Sequence, residues 1–269
     1  MVSDVFIQSG ERRKINARRH EINNLIIEPG GELYVPVKSR GWLLLNISGN
    51  VQIGGTITFR GCIATNGGRS ITLPDGSEAT FAHPQTALGG YGGDGGIGGF
   101  GGAVTGGKGA AGTVNYGGGG GGGAYASHGN PPAAISGDNA VEYRAGRKHS
   151  PGGNGGRNNA SVHGGMIYIY APTGNLDGSG GRIDLRGFDG ANGINAPQTT
   201  GQQGGGGGGA PGGHGGYLII RTATILVEPE LLLEPGKGGH NGLRGGLHRA
   251  NGTDGYRGDD GEQGLVDYY

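Results

Sequence analysis

The stretch 165–187 reads GMIYIYAPTGNLDGSGGRIDLRG. A glycine opens it, five strand-forming residues follow, and a polar bridge leads to a glycine-rich turn. A second short run, RIDL, then gives way to glycine. Branched and aromatic residues favour extended backbone, and the glycines break them into runs too short for helices. Two other stretches follow the same plan: 41–61 reads GWLLLNISGNVQIGGTITFRG, and 216–236 reads GYLIIRTATILVEPELLLEPG. Their opening glycines, Gly41, Gly165 and Gly216, lie 124 and then 51 residues apart. Strand material also fills 24–37, NLIIEPGGELYVPV. An internal repeat with unequal spacing implies equivalent coils separated by variable insertions, which is the logic of a β-solenoid. Three unrelated hairpins in a sandwich are the competing arrangement.

Between these runs lies glycine. The chain has 70 glycines in 269 residues, far above the usual share of roughly 7%. Each would cost about 1 kcal/mol in a helix relative to alanine, which excludes an ordinary helical or α/β enzyme. The segment 89–102 reads GGYGGDGGIGGFGG, and 252–264 reads GTDGYRGDDGEQG; both keep a three-residue step, as do Gly236, Gly239, Gly242 and Gly245. That step matches a left-handed extended helix with three residues per turn. Collagen shares the period but needs about 15–20% proline, and none of the 12 prolines falls in these runs. The remaining arrangement is a bundle of polyglycine-II helices whose amides bond to neighbouring helices through closely approaching backbones. Tyr91, Asp94, Ile97 and Phe100 would form one stripe along such a helix. A flexible linker is the alternative, but linkers mix in serine and do not hold phase.

The expected fold is therefore mainly β and irregular. It combines β-solenoid-like strands with a packed polyglycine-II helix sandwich and has little or no α-helix. Residues 1–23, rich in arginine, are expected to form an N-terminal attachment arm. Residues 24–269 are expected to form one intertwined domain. Its strand coils lie near 24–62, 165–187 and 216–235, and its glycine-rich tracts near 89–123, 152–164, 201–215 and 236–264.

Charge and motifs narrow the function. The 21 basic and 21 acidic residues cancel, so net charge supports neither nucleic-acid binding nor a membrane surface. No apolar run reaches the roughly 18 residues of a spanning helix, so membrane insertion is not expected. The opening MVSDVFIQSGERRK lacks the basic-then-apolar pattern of a secretory leader. Cys62 is the single cysteine, which excludes internal disulfides and CxxC-type metal sites. Strings like GxGxxG arise by chance in so much glycine, without the flanking strand and helix that nucleotide binding needs. GGYGGDGGI is similar to the calcium-binding nonapeptide, but it has Gly96 at the apolar position and does not recur. Arg257-Gly258-Asp259 spells RGD inside the glycine phase. The sequons at Asn46, Asn159 and Asn251 carry little weight without a leader. The histidines show no metal-ligand spacing, and nothing pairs two carboxylates for glycoside hydrolysis. The expectation is no catalytic residue, no metal and no cofactor.

The interruptions carry the recognition chemistry. Segment 124–150 reads AYASHGNPPAAISGDNAVEYRAGRKHS and holds Tyr125, His128, Tyr143, Arg144, Arg147, Lys148 and His149. Segment 69–88 holds Phe81 and His83, and 194–203 is a polar loop. Long loops on a rigid scaffold are commonly functional, and tyrosine among small polar residues suits adaptable binding. The bland reading is that these loops only connect helices. The candidate receptor-binding residues are Tyr125, His128, Tyr143, Arg144, Arg147, His149, Phe81 and His83.

The GGx arrays, polyglycine interruptions and Tyr/His-bearing loops over 89–264 resemble the distal long-tail-fibre adhesins of T-even-type bacteriophages. The family's Trp-rich attachment segment has no counterpart in 1–23, and Trp42 is the only tryptophan. The resemblance implies a polyglycine sandwich whose loops recognise the host surface. It implies a non-enzymatic virion protein assembled in the host cytoplasm. Its partners would be a bacterial outer-surface receptor, protein or glycan, and other tail-fibre subunits. The alternative is a structural or ice-binding glycine-rich protein of a cell surface.

Overall fold

The computed structural model describes residues 2–39, 42–63, 69–81, 110–113, 155, 162–196, 205–245 and 253–269. The described chain is mainly β-strand and contains no helix. In chain order the strands are β1 (Val5–Ile7), β2 (Arg12–Lys14), β3 (Arg19–Ile22), β4 (Leu25–Ile27), β5 (Glu32–Tyr34), β6 (Trp42–Ile47), β7 (Val51–Ile53), β8 (Thr56–Thr58) and β9 (Arg60–Cys62). They continue with β10 (Arg69–Thr72), β11 (Glu78–Phe81), β12 (His163–Gly164), β13 (Met166–Asp177), β14 (Arg182–Asp184), β15 (Tyr217–Val227), β16 (Glu230–Leu232) and β17 (Leu265–Tyr268).

Two open, parallel sheets carry the fold. The eight-stranded sheet holds β1, β3, β4, β6, β7, β13, β15 and β17; the five-stranded sheet runs β2-β5-β8-β14-β16. The chain passes from one to the other and back in successive coils. The return strands are in register: Trp42 pairs with Met166, Met166 with Tyr217, and Tyr217 with Leu265. Sequence spacings of 124 and 51 residues thus become neighbouring strands. A further copy begins 48 residues on, at 264–269, where β17 pairs with β15. The stretch 1–23, set apart in sequence by its arginines, supplies β1–β3, which pair within the same two sheets.

Inward side chains of the two sheets meet in one core. Leu43, Leu45, Ile167, Ile169, Leu218 and Ile220 face Leu33, Phe59, Ile183 and Leu185, all buried. Turns between the sheets use glycine where φ is positive, as at Gly30 and Gly180. Along the outer turn an acceptor ladder climbs the stack. Asp4 Oδ1 accepts from Asn24 N–H (3.1 Å), Asn24 Oδ1 from Asn50 N–H (2.8 Å), and Asn50 Oδ1 from Asn175 N–H (2.9 Å).

All insertions leave the coil at one place, between the strand of the five-stranded sheet and the return strand. They span 15–18 after β2, 35–41 after β5, 59–165 after β8, 185–216 after β14 and 233–264 after β16. Within the last two, four extended segments, near 185–196, 206–216, 233–243 and 253–264, lie side by side without forming sheet. Their hydrogen bonds recur every third residue. Gly190, Gly193 and Ala196 donate to the carbonyls of Lys237, His240 and Leu243 (2.7–2.8 Å). Gly207, Ala210 and Gly213 donate to Ile194, Ala191 and Phe188, while Gly206, Gly209 and Gly212 donate to Thr253, Tyr256 and Asp259.

This pattern fixes which residues must be glycine. A Cβ on Gly206, Gly209 or Gly212 would lie 1.9–2.1 Å from a carbonyl oxygen of the 233–243 segment. One on Gly255, Gly258 or Gly261 would lie 2.1–2.2 Å from a carbonyl oxygen of 206–216. Ala210 and Pro211 sit in the other two phases and carry side chains there, although further along Ala210's phase a Cβ on Gly213 would lie 1.9 Å from Val162 O.

Where two segments run parallel, the returning amide finds a side chain. Lys237 N–H donates to Asp189 Oδ1, His240 N–H to Asn192 Oδ1, and Leu243 N–H to Asn195 Oδ1, each at 2.8 Å across 48 residues. His214 N–H donates to His163 Nδ1 (3.1 Å), and Glu262 N–H to His214 Nδ1 (2.9 Å). In all five cases the acceptor immediately precedes the residue whose own N–H donates to that same neighbour. The motif is therefore an Asp, Asn or His placed just before a glycine or alanine.

Candidate functional site

The receptor-binding candidates Tyr125, His128, Tyr143, Arg144, Arg147, His149 and His83 lie outside the described residues. So do the tract 89–102 and most of the loop 194–203. Phe81 ends β11, opposite Arg69. The structure brings a different set together.

Strand alternation gives the return strands of the eight-stranded sheet an outward row. Leu44, Met166, Tyr168 and Ile219 are buried there, with Trp42, Tyr170 and Tyr217 packed against them. A parallel sheet needs cover on both faces. Part of that cover is the antiparallel hairpin β10–β11, drawn from the insertion after β8. Its tip is fixed by local chemistry: Gly76 N–H donates to Leu73 O (2.9 Å), Leu73 N–H to Ser77 O (2.7 Å), and Gly76 takes φ 84°. The Ser77 hydroxyl and amide both donate to Asp75 Oδ1, at 2.6 and 3.1 Å.

Leu73 enters the buried row, and Asp75 forms an ion pair with Arg221. The Ser77 hydroxyl and amide, and then Arg221, hold the Asp75 carboxyl below its ordinary range. Solvent screens a pair of this kind, so it contributes little to stability. Burial of Leu73 is worth about 1.5–3 kcal/mol, so the leucine holds the flap and the ion pair orients it. The Arg221 guanidinium lies 5.6 Å from the Tyr170 ring centroid, and Tyr170 lies 5.9 Å from Tyr168.

Between flap and sheet is a cleft of about 260 Å³. Tyr168, Tyr217 and Ile219 line it from the sheet, Leu73, Ser77 and Glu78 from the hairpin, with Arg221 and Tyr269 beside them. The Tyr217 hydroxyl donates to the Asp267 carboxylate. Burial and this bond push the Tyr217 phenol well up, and burial raises that of Tyr168. Both phenols stay protonated at neutral pH, and because the Tyr217 proton is already given to Asp267 its oxygen is left as an acceptor. Among the described residues no cluster of three His, Cys, Asp or Glu side chains could hold a metal, and no helix is long and apolar enough to cross a membrane.

Comparison with protein-family models, curated proteins and solved structures gives no match.

Sequence reasoning missed this cleft, though its signals were present. MIYIY and YLIIR alternate with period two, which places the tyrosines, Ile219 and Arg221 outward and Ile167, Ile169, Leu218 and Ile220 inward. Leu73-Pro74-Asp75-Gly76 is a turn signal between two strand-like runs.

Proposed function

We propose that the stacked sheets are the coils of a β-solenoid and that the three-residue-period segments belong to a packed polyglycine-II sandwich. The chain is then a non-enzymatic receptor-binding protein at a bacteriophage tail-fibre tip. Its partners are a bacterial surface receptor and other tail-fibre subunits, and it assembles into the virion in the host cytoplasm.

One observation carries the reading. Every long insertion leaves and rejoins the repeat at the same point, between a strand of the five-stranded sheet and the return strand of the eight-stranded one. Recognition surfaces are commonly built this way, with irregular loops held by a scaffold that does not move. The three-residue hydrogen-bond step adds to it, because the resemblance to the adhesins rested on that period.

Residues 124–150, inside the insertion after β8, carry most of the aromatic and cationic side chains expected to bind. By hot-spot logic Tyr125→Ala, Tyr143→Ala or Arg144→Ala each costs about 1–3 kcal/mol of binding. Replacing 124–150 by a short Gly-Ser bridge abolishes pull-down of susceptible bacteria while the melting curve stays in place. Unchanged adsorption after that replacement removes this segment as the recognition site.

A further inference from the structure

We propose that the cleft under the β10–β11 hairpin binds a single neutral sugar ring. This goes beyond the receptor-binding reading, which places recognition on residues 124–150, and it concerns other residues.

The size is that of one ring. At about 260 Å³ the cleft is just below the usual range of small-molecule pockets, roughly 300–1,000 Å³. It is too small for a folded partner's side-chain cluster. Its lining has two characters. Tyr217 and the largely buried Tyr168, Ile219 and Leu73 supply a small apolar part. Glu78, Ser77, Arg221 and Tyr269 supply charged and hydroxyl groups. A pyranose has the matching anatomy: an axial C–H face that packs on aromatic rings, and equatorial hydroxyls that both donate and accept. Glu78 accepts only and Arg221 donates only, while the hydroxyls of Ser77 and Tyr217, whose protons go to Asp75 and Asp267, are left as acceptors for the ring's hydroxyl protons. A purely apolar ligand would strip water from these polar groups without replacing their bonds.

Charge selects within the class. Asp75 already neutralises Arg221, and Glu78 and Asp267 add further negative charge around the cleft. Among the described lining residues the cation is Arg221, already paired with Asp75, so phosphate or an acidic sugar would meet mainly carboxylates and a neutral ring is favoured. The site is also braced. Arg221 is oriented by Asp75, which the Ser77 hydroxyl and amide fix in place, and Tyr217 is oriented by Asp267. Groups held before binding lose less freedom on binding.

The test is saturation-transfer NMR on the full chain with methyl β-D-glucopyranoside, methyl β-D-galactopyranoside and methyl β-D-glucuronide. At least one neutral glycoside should receive saturation on its ring C–H protons, with a dissociation constant on the order of 1 mM, as for other ring-sized ligands. Tyr269→Ala and Glu78→Gln, both at exposed positions where the fold should survive, should weaken it by about five- to tenfold. The glucuronide should bind more weakly than the glucoside. Absence of transfer to both neutral sugars overturns the proposal, as does transfer that neither variant changes. Preference for the glucuronide overturns its charge argument. The adsorption assay reads residues 124–150, so failure here leaves that reading standing, and the reverse also holds.

Discussion

In the strand coils, neighbouring backbones sit a full strand spacing apart, and side chains alternate between core and surface. In the glycine segments, carbonyl oxygens approach to where a Cβ would be, and one residue in three must have none. Both regions satisfy their amides by pairing with neighbours. They make opposite demands on side chains: the coils are stabilised by what side chains add, and the segments depend on their absence. Both also use Asn, Asp or His at stacked positions to accept amides that no carbonyl reaches.

The largest expected effect comes from adding one methyl to a glycine segment. At Gly209 the new Cβ would lie 1.9 Å from the Gly239 oxygen and 2.4 Å from its carbon. Neither atom can yield without separating two segments and losing their bonds. Gly209→Ala should cost about 4 kcal/mol or more, the range of severe core lesions. Gly180→Ala supplies the contrast. Its φ is 73° with open space around it, so only the left-handed penalty applies, about 1–2 kcal/mol. Urea unfolding of both variants tests the difference; equal costs would break the distinction between steric and conformational glycines.

The coils should respond to the opposite change. Leu45 is fully buried between the sheets, in register with Ile169. Leu45→Ala removes buried methyls and leaves a cavity, at about 2–5 kcal/mol. Chemical denaturation of this variant sharpens the comparison: here stability falls on removing atoms, and at Gly209 on adding one.

Much of this division could be read before any coordinates. The repeat at Gly41, Gly165 and Gly216 gave pairs that are now in register, because a strand's alternation and its bounding glycines are local signals. The three-residue phase at 236–245 and 252–264 likewise marked segments whose hydrogen bonds step by three. What sequence did not give was partnership. Asn195 read only as part of a polar loop and Asp189 and Asn192 drew no reading, since the amides they accept lie 48 positions away. The hairpin at 69–81 was taken as loop because its cover role depends on an aromatic row more than 80 residues later. Arginines in 12–19 suggested an arm; stacking on β4–β6 through backbone bonds is insensitive to those side chains.

The smallest effect concerns a residue that does an asparagine's work with a titratable ring. His214 is buried and stacked on His163, with ring centroids 5.1 Å apart, and its Nδ1 accepts the Glu262 amide. That bond requires a neutral ring with its proton on Nε2. Burial holds the His214 pKa below its ordinary value of 6.5, against the opposing pull of Glu262. The sign follows. Above pH 6.5 the ring is neutral in both folded and unfolded chains, so it contributes no pH dependence there. As pH falls through 6.5 the unfolded chain takes up a proton that the folded ring resists, and stability declines until the folded pKa is reached. The stability contributed by carboxylates held below their ordinary values, such as Asp75 and Asp177, is lost only at more acid pH, as they protonate below the ordinary carboxylate range. His214→Asn keeps an acceptor where Asn192 and Asn195 already serve and removes the titration. Melting temperature between pH 8 and 5 should therefore fall less steeply in the variant than in the parent. At pH 8 the variant should melt slightly lower, having lost the ring stack. Identical pH slopes in the two proteins would show that the His214 ring does not carry this dependence.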